Sequence, residues 1–566
     1  MKHILCIVSI GVVALACRAG VVVDAQSAGA QLNHYWSVGV GAGRVNEGLR
    51  VGWHEHLRDV GANCGFRYVR MHDTFNDDMF VCFPKKKRGT GSGERIPRAK
   101  RVAEGDALAG VGTGMVYSWQ YIDDVYDRML AEGVRPFVEF SFFPSCLAAE
   151  GTRRQMWYRN CVTIDRAKLP QWGELCEAFV RHVVERYGLD EVKKWYFEVW
   201  NEPNLYNGFF EGTRSDYFEL YRVSAQAVKR VSPELKVGGP ATSNFIADAR
   251  HDGEIQDNQK SVFYPQETIN DQKWKGVWIV EFLAFAAKEK LPVDFISCHP
   301  YPTDYALDPV SGRGKDAIRY VHSLRDDIDW LVKVRNASAF PNAEIHLTEW
   351  STSPSSRDPM HDRLPPCAYI AKAVLENTGK VDSLMYWTFT DVFEEKGGGE
   401  EIFHGSFGLV NFQGIHKPTY HAFRMMNALG DEVIYNADPV VVTRDSKRGK
   451  IAALAYAYPK EFACHVPASR DCKNFMKASP TELDLTLTGL KPNAVFLVET
   501  LDEKSGNACG AWEAMGRPHS PNRDQLAALK VAADATKREE VKADASGTLV
   551  IKRTLAPWTM MLISEK

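Results

Sequence analysis

The chain has 566 residues, a formal net charge of −3, 45% hydrophobic residues and 25% charged residues. That length accommodates a large domain and a companion, and the composition is that of a globular protein rather than a disordered or fibrous one. The near-balanced charge gives no electrostatic ground for a nucleic-acid or anionic-membrane partner.

Residues 1–25 read as a signal peptide. Lys2 and His3 precede an apolar run over 4–16, too short for a transmembrane span, and Val23-Asp24-Ala25 offers a cleavage site. Ala14-Leu15-Ala16-Cys17 is an alternative, an imperfect lipoprotein box with Cys17 as the anchor. The expected location is therefore secreted or periplasmic, with lipid anchoring at Cys17 as the variant. Of the 12 cysteines, those beyond the leader show no Cys-x-x-Cys spacing. They read as buried thiols, with Cys464 and Cys472 spaced to close a hairpin loop. No metal site and no cofactor is expected: His54-Glu55-His56 lacks the i, i+4 spacing of a helical His-Glu-x-x-His site.

The spacing predicts a first strand over 35–39. Gly39, Gly41 and Gly43 follow it and read as a bend, because the strand–turn–helix unit of a dinucleotide loop is unconvincing there. A helix over 54–60 and a second strand over 66–70, ending near His72, come next. Residues 85–114 are polar and Gly-rich, contain the basic run Lys85-Lys-Lys-Arg88, and read as a solvated inserted loop. A helix over 119–132 ends at Gly133. Strands over 135–140, 195–200, 235–239, 293–297, 344–348 and 383–389 then alternate with helices over 168–187, 217–231, 278–288, 316–335 and 366–377. Such alternation between residues 35 and 430 implies a parallel sheet closed into a (β/α)8 TIM barrel, with an open doubly wound sheet as the structural rival. From residue 431 to 566 short strands and turns alternate, the pattern of a β-sandwich, with a polar helix-prone segment over 522–540.

Two strands end in carboxylates. One runs over 195–200 into Asn201-Glu202-Pro203, where proline stops regular structure, and the other is Glu344-Ile-His-Leu-Thr-Glu349. Barrel enzymes carry their chemistry at the C-terminal strand ends, which brings residues distant in sequence together. A retaining glycosidase needs two carboxyl groups, an acid/base and a nucleophile, roughly 5 Å apart. The bland alternative for an isolated Asn-Glu-Pro is a surface glutamate beside a turn.

Taken together, the chain resembles glycoside hydrolase family 39, and within it the bacterial β-xylosidases. The resemblance rests on Gly65-Phe-Arg-Tyr-Val-Arg70, Arg135-Pro-Phe-Val-Glu139, Glu198-Val-Trp-Asn-Glu-Pro-Asn-Leu205, Val237-Gly-Gly-Pro240 and Tyr386-Trp-Thr-Phe-Thr-Asp-Val-Phe-Glu-Glu395. It extends through Phe403-His-Gly-Ser-Phe-Gly-Leu409 to Met515-Gly-Arg-Pro518 in the second domain. It implies Glu202 as acid/base, Glu349 as nucleophile, and Asn201 bonding the sugar 2-hydroxyl. His72 and His299 would bond ring hydroxyls, Tyr301 would orient Glu349, Trp387 would face the sugar ring, and Glu394 and Glu395 would accept hydroxyl protons. Phe142 and the segment around His404 are weaker candidates. Structural readings stand beside these: hydrogen-bonded structural histidines, a core Trp387, a rim aromatic at Tyr301, and loop charges at Glu394 and Glu395. The implied function is a retaining exo-glycosidase acting on β-D-xylosides. Alternatives with the same mechanism are an α-L-arabinosidase, a β-glucosidase or galactosidase, or an α-L-iduronidase-like enzyme. A non-catalytic carbohydrate-binding protein is the remote alternative, disfavoured by the presence of both glutamates. The expected partner is an oligosaccharide or glycoside, and the sequence carries no signal for oligomeric state. Residues 85–114 and 248–275 depart from the compact family pattern, which leaves the natural substrate open.

Overall fold

The computed structural model describes residues 20–84, 114–152, 154–155, 160–205, 208–243, 278–307, 314–318, 321–463, 466–468 and 472–566. The inserted segments expected over 85–114 (apart from Gly114) and 248–275, the basic run, Cys17 and Cys464 fall outside those residues.

Strands β1 (Gly39–Arg44), β2 (Tyr68–His72), β3 (Arg135–Phe140), β4 (Tyr196–Val199), β5 (Lys236–Ser243), β6 (Phe295–His299), β7 (Glu344–Trp350) and β8 (Ser383–Tyr386) close into a barrel in chain order. Every neighbouring pair is parallel, including the closing pair β8–β1 at Tyr386 and Val40. A helix follows each strand: α1 (Val51–Cys64), α2 (Gln120–Ala131), α3 (Leu169–Tyr187), α4 (Arg214–Val231), α5 (Trp278–Lys288), α6 (Ser323–Ala337), α7 (Pro365–Glu376) and α8 (Pro418–Asn427). The fold is the TIM barrel with a C-terminal β-sandwich. Local sequence explains the helix limits. Thr213 and Asp216 form a reciprocal capping box at the start of α4, and Gly65 at φ 82° ends α1 where a side chain would be strained.

The barrel interior is layered. Tyr68, Phe137, Tyr196, Phe295 and Met385 pack as an apolar plug, with the Phe137 and Tyr196 rings stacked at 4.8 Å. Side chains on one face of a strand recur every second residue, so the next inward positions are Arg70, Glu139, Glu198, Ser297 and Trp387. A greasy floor thus supports a charged and aromatic layer at the C-terminal rim.

The first strand differs from expectation. Tyr35–Ser37 is a short 3-10 turn, and the glycine-rich stretch read as a bend is β1 itself. A Cβ at Gly41 would lie 2.1 Å from the Trp387 ring, and one at Gly43 the same distance from Glu47 Oε2. The glycines are there because side chains from β8 and the following loop fill the space.

The stretch up to Ala25, where the leader boundary is expected, carries a strand. Val21–Asp24 is a strand paired parallel to Thr481–Thr488, which pairs antiparallel with Leu549–Leu555. Val23 and Ala25 are buried in the sandwich core with Val442, Leu485, Val498, Ile551 and Ile563. A cut after Ala25 would remove a strand from the second domain. Ala30–Gln31 likewise joins the other sheet of the sandwich, seven-stranded and otherwise built from Glu432–Ala437 onward. The polar segment expected over 522–540 divides into the helix Arg523–Asp534 and the strand Lys537–Lys542. That helix packs with Ala508–Ala514 onto Ile402, Phe403 and Ile415 of the barrel. Among the described residues, no helix is long and apolar enough to cross a membrane.

Candidate active site

Glu202 lies just past β4, in a backbone that leaves the strand sharply. Trp200 has φ 72° and Glu202 has φ 44°, left-handed values that non-glycine residues rarely adopt. Neighbours hold this turn: Glu202 N–H donates to the Ala241 carbonyl at 2.9 Å, Trp200 N–H to Phe140 at 3.2 Å, and Trp200 Nε1 to Phe209 at 3.1 Å. Strain kept in place by such a frame is characteristic of functional positions. Glu349 sits on β7. Both carboxyls are buried, and one oxygen of each lies within 4.8 Å of the other and of a His299 ring nitrogen.

Arg70, fully buried, organises the layer. Its Nη1 donates to Glu349 Oε1 at 2.6 Å, its Nε to Glu198 at 2.5 Å, and its Nη2 to Asn201 Oδ1 at 2.9 Å, with Glu139 2.6 Å from Nη2. Tyr301 hydroxyl donates to Glu349 Oε2 at 3.1 Å, and His72 Nε2 stands 3.5 Å from Oε1. Asn201 Oδ1 is therefore committed to Arg70, while its Nδ2 is buried and makes no hydrogen bond among the described residues. That leaves one fixed donor facing whatever enters.

Burial raises both carboxyl pKa values, by different amounts. Glu349 is pushed up by burial and held back by the charge and hydrogen bond of Arg70. Glu202 is pushed well above the carboxylate range by burial, and further by the charge on Glu349. The pair is thus polarised, with the proton on Glu202.

Hydrogen-bond direction leads to the same assignment. Thr348 hydroxyl donates its one proton to Glu198 at 2.8 Å, a carboxylate that also accepts from Arg70. His299 Nε2, 3.1 Å from that hydroxyl, must then be the donor. Burial keeps the ring neutral, lowering its pKa well below the usual value, so Nδ1 carries the lone pair. Glu202 Oε1, 2.9 Å from Nδ1, is the group that supplies the proton. The chain Glu198–Thr348–His299–Glu202 fixes a protonated Glu202.

His72 donates through Nδ1 to Glu139 at 2.8 Å, and its ring lies 4.7 Å from Trp387. Burial takes its pKa down to about 3, so it too is neutral, while burial lifts Glu139 to about 7. Phe142 and Phe209, stacked at 5.9 Å, close the side beyond His72. The described residues able to ligate an ion jointly are Glu202, His299 and Glu349, and Arg70 already takes one oxygen of Glu349.

The comparisons with known proteins bear on this geometry. Residues 19–550 match the profile of Glycosyl hydrolases family 39. The chain belongs to that family. It is 33% identical over 515 residues to a β-xylosidase of Caldicellulosiruptor saccharolyticus, covering 90% of each chain. It is 34% identical over 518 residues to a β-xylosidase of Geobacillus stearothermophilus, covering 90% of this chain and 88% of that one. The crystal structure of a monomeric β-xylosidase from Caulobacter crescentus CB15 superposes with a TM-score of 0.79 at 30% identity, covering 97% of this chain and 99% of the other.

The family-39 barrel therefore gathers Asn201, Glu202, His72, His299, Tyr301, Glu349 and Trp387 at one rim. It separates the two adjacent glutamates. Glu394 is engaged by Arg44 at 3.1 Å and by Arg50, whereas Glu395 contributes its charge to Glu202 and Tyr301. Burial raises Glu395 to about 7. His404 turns its Nδ1 to the Glu401 carbonyl at 2.8 Å. Sequence reasoning gave no role to Arg70, Glu139, Glu198 and Thr348. The available signal was charged and polar residues within otherwise apolar buried strands, where an unpaired charge or polar group is costly.

Proposed function

We propose that this family-39 glycoside hydrolase is a retaining exo-glycosidase that releases D-xylose from β-D-xylosides. The observation that carries the mechanism is the pair of buried carboxyls, with oxygens within 4.8 Å and protons unequally shared. A separation near 5 Å suits direct attack by one carboxylate, whereas an inverting enzyme needs a wider gap for water. The β-xylosidase relatives support the sugar.

In this reading Glu349 attacks the anomeric carbon, with Arg70 and Tyr301 orienting its oxygens. Glu202 gives its proton to the departing glycosidic oxygen, which takes over from His299 Nδ1 as the acceptor. The covalent intermediate removes the negative charge of Glu349, so Glu202 becomes more acidic and, now ionised, takes a proton from the attacking water. Asn201 Nδ2 donates to the 2-hydroxyl, a contact that strengthens as positive charge develops at the ring. His72 bonds a hydroxyl, Glu395 accepts from one, and Trp387 packs on the apolar sugar face; His299, with both ring nitrogens engaged by Thr348 and Glu202, acts through Glu202 rather than on a sugar hydroxyl. We also propose export, from the apolar run after Lys2 and His3, with processing upstream of Val21; N-terminal sequencing of the mature chain checks it.

The test is a rate panel on aryl β-D-xylo-, α-L-arabino-, β-D-gluco-, β-D-galacto- and α-L-iduronosides, with the product anomer followed by NMR. Preference for the xyloside and first release of the β-anomer support the proposal. A preference for another sugar removes the xylosidase reading alone, and first release of the α-anomer removes retention.

A further inference from the structure

The thiols of Cys82 and Cys146 meet on the rim of the barrel. Cys82 opens the short strand Cys82–Pro84, which pairs with Met115–Tyr117 at the root of the inserted segment. Cys146 lies in the turn after β3, three residues beyond Phe143. Their sulfur atoms are 3.7 Å apart across 64 residues of chain, and Cys146 Sγ also points toward the Cys82 carbonyl at 3.8 Å. Three further contacts join the same two loops: Ser145 N–H to Asp77 Oδ1 at 2.9 Å, Phe75 N–H to the Ser141 carbonyl at 2.9 Å, and Asp73 N–H to Ser141 Oγ at 3.2 Å. The backbones are therefore already fixed beside each other, which is the condition a disulfide needs.

We propose that Cys82 and Cys146 form a disulfide that staples the loop after β2, and with it the root of the insertion, to the loop after β3. A bonded pair has its sulfurs about 2.05 Å apart, so closing the 3.7 Å gap takes rotation of the thiols about their Cα–Cβ bonds. The contact itself prepares the pair. Sharing a proton with Cys82 lowers the Cys146 thiol, and the same contact with burial raises Cys82. Cys146 is also the more exposed of the two, so it is the sulfur that meets an oxidant. Its thiolate attacks an external disulfide, such as oxidised glutathione, and expels one thiol. Cys82 then gives up its proton, attacks the mixed disulfide at the Cys146 sulfur and expels the second. Two protein thiols lose two protons and two electrons, and one external disulfide becomes two thiols. Closing a loop of this length removes conformational freedom chiefly from the unfolded chain.

The test uses the full chain, incubated with oxidised glutathione or with dithiothreitol and then alkylated. Expected are two fewer alkylated cysteines after oxidation than after dithiothreitol, a non-reduced digest containing the peptide linked at Cys82 and Cys146, and a melting temperature several degrees above the reduced form. In Cys146→Ser that difference between oxidised and reduced melting temperatures disappears. Cys161, whose carbonyl accepts from Phe143 N–H at 3.2 Å, is the competing thiol on the same loop. A stable glutathione adduct on Cys146, a link from Cys82 or Cys146 to Cys161, or no linked peptide at all would overturn the proposal.

Discussion

Replacing Thr348 by valine removes one hydroxyl and keeps the shape of the side chain, which isolates the proton chain behind Glu202. With the hydroxyl present, His299 must donate through Nε2 and accept through Nδ1, 2.9 Å from Glu202 Oε1. Without it the ring can take the other tautomer and donate through Nδ1, which favours ionised Glu202. A hydrogen bond to a charged group contributes about 1.5–3 kcal/mol. At 1.36 kcal/mol per unit, the basic limb of kcat/KM moves down by about 1–2 pH units. Glu198 loses one donor, and folding loses about 1–2 kcal/mol. The assay is the pH dependence of kcat/KM on an aryl glycoside that the enzyme turns over, measured well below the melting temperature. A basic limb that stays within about 0.3 units of the parent, in a protein that melts lower as expected, would refute the tautomer argument.

Other perturbations separate the remaining roles. Asn201→Ala removes the buried Nδ2 donor and should lower kcat/KM by about 10²–10³-fold, several kcal/mol of transition-state contact. On a 2-deoxy glycoside the variant and parent should differ little. Glu202→Ala should slow substrates with poor leaving groups far more than activated aryl glycosides, with azide restoring turnover; equal loss on both without rescue would remove Glu202 from the acid/base role. Gly41→Ala places a Cβ 2.1 Å from the Trp387 ring, so Trp387 must move. We expect a loss of about 1–3 kcal/mol in stability and a higher KM, read by melting and by kinetics. At the domain junction, His416 lies 2.6 Å from both Asp59 and Asp534 and stacks on Tyr420 at 3.7 Å. Burial opposes its charge, but the two aspartates win and lift its pKa to about 9. Its unfolded value is near 6.5, so the stabilisation is complete below about pH 6.5 and is lost as pH rises towards 9. Up to about 3 kcal/mol is involved. His416→Gln should flatten the decline of melting temperature across that window.

What could be read in the sequence depended on whether the signal was local. The alternation of strands and helices is local, and so is a carboxylate ending a strand; the placement of Glu202 and Glu349 at strand ends was legible on those grounds. β1 was not, because Gly39, Gly41 and Gly43 have poor strand propensity and are required only by Trp387, Met385 and Glu47 packed against them. The strand Val21–Asp24 was not legible because an extended valine run looks like the tail of a leader until its partner, Thr481–Thr488, is known. Arg70, Glu139, Glu198 and Thr348 were visible as polar residues in buried strands, but their roles come from the closure of the barrel. So does the assignment between neighbours: sequence leaves Glu394 and Glu395 equivalent, and Arg44 and Arg50 distinguish them.

The central claim is that Glu349 attacks the sugar while Glu202 holds the proton. Its most direct test is incubation with a 2-deoxy-2-fluoro-β-D-xyloside bearing an activated leaving group, followed by peptide mass mapping. The account predicts time-dependent inactivation and one fluoroxylosyl group on Glu349, with no labelling of Glu349→Ala. Stable labelling of Glu202 or of another carboxylate would contradict it.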